Sequence, residues 1–77
     1  MNLTSQETIT ILYVTLGYSD KEIGKKMKIH YATVRTYLNR VLLKLAARNR
    51  AHAALKYVFE MTPEVYFKQL KALNEVL

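Results

Sequence analysis

Apolar residues recur along the chain with a helical period, and the breaks between them carry capping chemistry. Ile11, Leu12, Val14 and Leu16 form the first apolar group. Thr4-Ser5-Gln6-Glu7 precedes it as a capping box, in which the Thr4 hydroxyl accepts from the Glu7 amide and the Glu7 side chain reaches back. Gly17 suits the left-handed position just past a helix end, so a first helix is predicted over about residues 5–16. Ser19-Asp20-Lys21-Glu22 repeats the capping box a few residues later. Ile23 and Met27 lie one turn apart behind it, which predicts a short amphipathic helix. Gly24 stands inside that helix at a cost of about 1 kcal/mol relative to Ala, so close approach of another helix is expected there. Lys28-Ile29-His30 reads as a turn. A third helix follows from about Tyr31 to Leu45, with Val34, Leu38, Val41, Leu42 and Leu45 on one 3.6-period stripe. Ala46-Ala47-Arg48 breaks it, and Asn49 is the N-cap of a fourth helix through about Glu60. Thr62-Pro63-Glu64 places Thr at N-cap, Pro at N1 and an acid in the first turn, which starts a fifth helix running to about Glu75. No strand signal and no internal repeat interrupts the series. The predicted fold is all-α, a compact helical bundle.

Composition narrows the function classes. With 77 residues and 51% hydrophobic content, the chain fits one globular domain. Residues 1–61 are expected to form the body and 62–77 an added C-terminal helix. There is no Cys, so disulfides and thiolate metal sites are excluded. His30 and His52 have no partners at ligand spacing, and no metal or other cofactor is expected. No Ser/His/Asp arrangement and no Gly-rich phosphate loop is present, so no enzyme is indicated. No apolar run approaches 18 residues and the start lacks a signal-peptide pattern, which predicts a cytoplasmic protein with no membrane partner.

Charge adds a partner. The formal net charge is +6. The stretch Lys21–Arg50 holds nine basic residues and one acid, Glu22, a net +8; the rest holds three Lys and five acids, a net −2. Such segregation marks an anionic partner, most often nucleic acid, against the alternative of a solvated basic surface. The second and third helices then read as a helix-turn-helix, with Ile23, Met27, Ile29, Val34 and Leu38 as their shared core. Arg35, Thr36 and Asn39 fall on one outward strip and are expected to contact bases of double-stranded DNA. Thr33, with the amides of the helix start, is expected to meet phosphate, as are Lys21, Lys25, Arg40 and Lys44.

Leu3-Thr4…Glu7, Gly17, Ser19, Lys21-Glu22-Ile23, Ile29, Thr33-Val34-Arg35, Leu38, Lys44-Leu45, Asn49-Arg50-Ala51 and Ala53 stand in the order and spacing of a known pattern. In these residues the chain resembles the LuxR-type helix-turn-helix domain, also called GerE or NarL type, from Leu3 to about Phe59. The start and the Asn49-Arg50-Ala51 continuation favour it over sigma-factor region 4. The resemblance implies a four-helix, sequence-specific DNA-binding domain of bacterial or phage origin that dimerises, usually through its last helix, and regulates transcription. It also implies base contacts at Arg35, Thr36 and Asn39 and phosphate contacts at Lys21, Thr33 and Lys44. The chain departs from the family pattern at Gln6, His30, Tyr37 and Ala46-Ala47. His30 stands where a Ser or Thr usually caps the recognition helix. Many members carry a receiver or ligand-binding domain, so a stand-alone domain is expected here.

The fifth helix is an addition to that pattern. Tyr66, Leu70, Leu73 and Leu77 form a short heptad seam with Phe67 and Val76 beside it. It is expected to fold back and complete the core, to join a homodimer interface with Ala51, Leu55, Val58 and Phe59, or both. The interface is expected to include Tyr66, Leu70 and Leu73. The alternative function is a protein-interaction module, an anti-activator or a partner of a larger regulator or of RNA polymerase.

Overall fold

The computed structural model describes residues 2–75 and contains five helices: α1 (Ser5–Thr15), α2 (Asp20–Met27), α3 (Tyr31–Leu45), α4 (Arg50–Glu60) and α5 (Pro63–Ala72). No strand occurs among the described residues. Every predicted N-cap acts as one. Thr4 and Ser19 close full capping boxes with Glu7 and Glu22, and Asn49 and Thr62 accept from the amides of His52 and Val65.

Helix ends depart further from expectation. α5 stops at Ala72 rather than near Glu75, because Asn74 turns left-handed at φ 61°. Its end is a Schellman motif: the Glu75 amide donates to the Leu70 carbonyl and the Asn74 amide to that of Lys71. The same motif closes α1 at Gly17, α2 at Lys28 and α3 at Ala46. Only α1 uses glycine for the left-handed residue. Lys28 and Ala46 adopt it at φ 59° and 52°, against a cost of about 1–2 kcal/mol each.

α1 lies at the centre of the fold and packs on α3 and α4, while α2 packs on α3. The core joins Ile11, Leu12 and Val14 of α1, Ile23 of α2, Val34, Leu38, Val41 and Leu45 of α3, and Ala53 and Tyr57 of α4. Met27 and Ile29 pack against its edge, completing the shared core expected of α2 and α3. Gly24 is buried where the chain doubles back. A Cβ there would lie 2.8 Å from the Ile29 carbonyl oxygen and 3.3 Å from the Tyr31 amide nitrogen. The close neighbour is therefore the turn and the first residue of α3, not the body of a second helix.

α5 folds back onto its own chain. Leu70 is 1% exposed and belongs to the core, with Tyr66 and Leu73 packed against it. The Tyr66 and Thr15 hydroxyls are 2.7 Å apart, and the Tyr57 hydroxyl donates to Gln69 Oε1 at 2.8 Å. Beyond the helix, Glu75 accepts from the Tyr18 hydroxyl at 3.1 Å and pairs with Lys26 at 2.9 Å. Leu70, expected at a dimer interface, is buried in this chain's own core, with α1 and α4 meeting α5 through Thr15 and Tyr57. Val76 and Leu77, the last seam positions, lie outside the described residues.

Candidate nucleic-acid interface

The basic stretch divides: Lys21, Lys25 and Lys28 gather beside the start of α3, whereas Lys26, Lys44 and Arg50 pair with Glu75, Glu7 and Asp20. Glu22, the lone acid of that stretch, is occupied by its cap: its Oε1 accepts from the Ser19 amide at 2.9 Å. That bond and the Ser19 hydroxyl hold its carboxyl below the ordinary range. Lys21, Lys25 and Lys28 are exposed, and they line a groove of about 580 Å³ with Gly24, Ile29, His30 and Tyr31. Three ammonium groups around one groove beside a helix start form a surface of positive potential.

His30 does cap α3. Its Nδ1 accepts from the Ala32 amide at 3.0 Å, and its ring stacks on that of Tyr31 with centroids 4.5 Å apart. The Thr33 amide donates to the His30 carbonyl at 3.0 Å. The amides of Ala32 and Thr33, expected to be free for a phosphate, are thus used within the protein. Thr33 itself is half-buried.

Arg35, Thr36, Asn39 and Arg40 are exposed on the outer side of α3. The Thr36 hydroxyl donates to the Ala32 carbonyl at 3.2 Å. Arg35 is not free: its Nε lies 3.5 Å from Asp20 Oδ2, and its guanidinium sits 5.7 Å from the Tyr31 ring centroid. Lys44 is set apart from the other basic groups. Its Nζ donates to Glu7 Oε1 at 2.7 Å, and Glu7 is 1% exposed. Lys44 and the Thr4 amide hold the Glu7 carboxyl ionised below its usual range, against the opposing effect of burial. α3 is therefore bolted to the start of α1 by a charge pair.

On α4, Ala51, Leu55, Val58 and Phe59 all reach the surface, with Leu55 58% and Phe59 82% exposed. Phe67 and Val65 of α5 are exposed as well. A groove of about 270 Å³ is lined by Val58, Met61, Thr62, Pro63, Tyr66 and Phe67. Lys28 and the Asp20 contact to Arg35 lie outside the residues the sequence singles out for DNA. The Asp20 contact joins residues far apart in sequence, whereas His30 is marked by the sequence as the residue at the start of α3. Among the described residues no cluster of His, Asp or Glu is arranged to hold a metal, and no helix is long and apolar enough to cross a membrane.

Comparison with known proteins agrees with this geometry. The chain is 38% identical over 56 residues to the transcriptional activator protein SolR of Ralstonia solanacearum, covering 73% of this chain and 24% of SolR. It is 33% identical over 55 residues to the transcriptional regulatory protein LnrK of Bacillus subtilis, covering 71% of this chain and 25% of LnrK. The chain thus spans about a quarter of the length of these curated relatives. No solved structure gives a significant match. Residues 1–57, ending within α4, match the family model described as bacterial regulatory proteins, luxR family. The capped helices, the α2–turn–α3 unit and this match together place the chain in the LuxR family of bacterial regulatory proteins, as a LuxR-type helix-turn-helix DNA-binding domain.

Proposed function

We propose that the protein regulates transcription by binding double-stranded DNA as a homodimer in the cytoplasm, with α3 in the major groove. The carrying observation is that Arg35, Thr36 and Asn39 share the exposed side of α3 and are flanked by Lys21 and Lys25 of α2. On this reading the three α3 residues meet base edges. Lys21, Lys25, Thr33, Arg40 and Lys44 meet phosphates, Lys44 by turning part of its ammonium outward from Glu7. The dimer face is the outer side of α4, Ala51, Leu55, Val58 and Phe59, supported by the exposure of these apolar groups. Tyr66 and Leu73, half-buried, continue it at α5 with the exposed Phe67 beside them, over the buried Leu70, and residues 62–75 also complete the core. Nothing in the geometry favours the alternative of a protein-interaction module, since the exposed basic and polar strip of α3 suits DNA.

Fluorescence anisotropy on mixed genomic duplexes at two salt concentrations tests the reading. Log K is expected to fall by about 0.9 per phosphate neutralised for each tenfold rise in salt. Arg35→Ala is expected to cost about 1–3 kcal/mol on the preferred sequence and to relax one base pair. Salt-independent binding refutes the phosphate contacts, and an equal loss on all sequences refutes base reading by Arg35.

A further inference from the structure

The acidic residue at the start of α2 touches the arginine expected to read a base, and it is held from behind by a second arginine. Asp20 is the first residue of α2, and its side chain is 16% exposed. Its Oδ1 accepts from Arg50 Nη1 at 2.9 Å. Arg50 is itself fixed, because its Nη2 donates to the Tyr18 carbonyl at 3.1 Å. The other carboxylate oxygen, Oδ2, faces Arg35 Nε at 3.5 Å. On another side of the Arg35 guanidinium lies the Tyr31 ring, 5.7 Å away at its centroid. A side chain that is otherwise 61% exposed is thus bounded by a carboxylate and an aromatic ring.

We propose that Asp20 is a positioning and specificity-determining residue: held by Arg50, it presents Arg35 for base reading and keeps it off the phosphate backbone. The proposal rests on the DNA-binding function above. With Nε on the side of Asp20, at ion-pair distance, both Nη groups of Arg35 remain for a bidentate acceptor pair, such as O6 and N7 of guanine. An unrestrained arginine on a DNA-facing helix pairs with whichever phosphate is nearest, which adds affinity without sequence information. A carboxylate beside it offsets its charge and repels that phosphate. Asp20 therefore lowers non-specific binding more than specific binding, and that difference is what specificity requires. The N-cap of α2 is Ser19, paired with Glu22, so a change at Asp20 leaves the cap in place.

The test compares a duplex selected by the wild-type protein from a random pool with its scrambled counterpart, by anisotropy over a salt series. Asp20→Asn is expected to bind the scrambled duplex more tightly, with its salt slope steeper by about 0.9 as Arg35 reaches one more phosphate. The selected-to-scrambled ratio falls about tenfold, within the range of one lost base contact. Asp20→Glu, which keeps the charge, recovers most of the ratio. In an Arg35→Gln background Asp20→Asn leaves the ratio unchanged, because the group it positions is gone. Should Asp20→Asn fail to fold, Arg50→Lys serves: it loosens the carboxylate from behind and is expected to lower the ratio in the same direction. An unchanged ratio in the folded variants, or the same fall in the Arg35→Gln background, overturns the proposal. If the wild-type protein selects no duplex at all, it is the DNA-binding function that fails, and the two failures are distinct.

Discussion

Glu7→Gln probes the charge pair that joins the first helix to the recognition helix. Glu7 is 1% exposed, and its Oε1 accepts from both the Thr4 amide at 2.9 Å and Lys44 Nζ at 2.7 Å. Gln keeps an acceptor for Thr4 but loses the charge that draws Lys44. A hydrogen bond to a charged group contributes about 1.5–3 kcal/mol, against about 1 for a neutral one. Lys44 is 38% exposed and can turn to water, so the low end applies. The expected loss is about 1.5 kcal/mol, a fall in Tm of about 6–12 °C for a domain of this size. Lys44→Met is the harsher change, because it leaves a buried carboxylate without its cation; about 3 kcal/mol is expected. The double variant should lose less than the sum of the two by at least about 1 kcal/mol.

Acid supplies the second arm of this test. The folded carboxyl has its pKa below the ordinary value of 4.5. Between those two pH values the unfolded chain binds the proton and the folded one does not, so stability rises with pH there. The contribution is complete above the ordinary value and disappears as pH falls through the folded one. Urea titrations followed by circular dichroism should show a constant gap between wild type and Glu7→Gln from pH 7 to about 5, closing below that. A gap that persists unchanged at pH 3, or additive single variants, refutes the assignment of this pair to fold stability.

Three further outcomes follow from packing and exposure. Gly24→Ala gains about 1 kcal/mol of helix propensity, yet its methyl group meets the Ile29 carbonyl at 2.8 Å; a net loss of about 1–3 kcal/mol in thermal unfolding is expected, and a gain would remove the close approach as the reason for glycine. Leu70→Ala should cost about 2–4 kcal/mol by leaving a cavity between α5 and the core, whereas Phe67→Ser should change stability by less than about 0.5 kcal/mol but reduce self-association in light scattering. A wild-type protein that is monomeric at every concentration overturns the dimer.

The four helix starts with a Thr, Ser or Asn cap were legible because N-capping is settled within four residues. Thr4, Ser19, Asn49 and Thr62 each satisfy amides that no distant group competes for. Helix ends were less so. Lys28, Ala46 and Asn74 take the left-handed conformation that Gly17 advertises most plainly, and the Schellman hydrogen bonds at each end offset the cost. The basic face was visible in the charge distribution itself. Its internal restraints were not: Glu7 with Lys44, and Asp20 with Arg35 and Arg50, join residues brought together only by the bundle. The spacing of Tyr66, Leu70 and Leu73 in and just past α5 marks an apolar stripe, but spacing alone carries no information on what the stripe meets; Leu70 is buried in this chain's own core while Tyr66 and Leu73 are half-buried.

The far end of α3 has a consequence of its own. Lys56 of α4 donates its Nζ to the carbonyls of both Leu45 and Ala46, at 2.9 and 3.2 Å. One ammonium thereby fastens the last turn of the recognition helix to the helix proposed to carry the dimer contact. In the homodimer proposed above, that joint would tie the separation and phase of the two α3 helices to the pairing of α4. Operators are then selected partly by the spacer that neither α3 touches. A spacer of the wrong length or stiffness must bend or twist to fit, and its deformability enters the affinity as a term of its own.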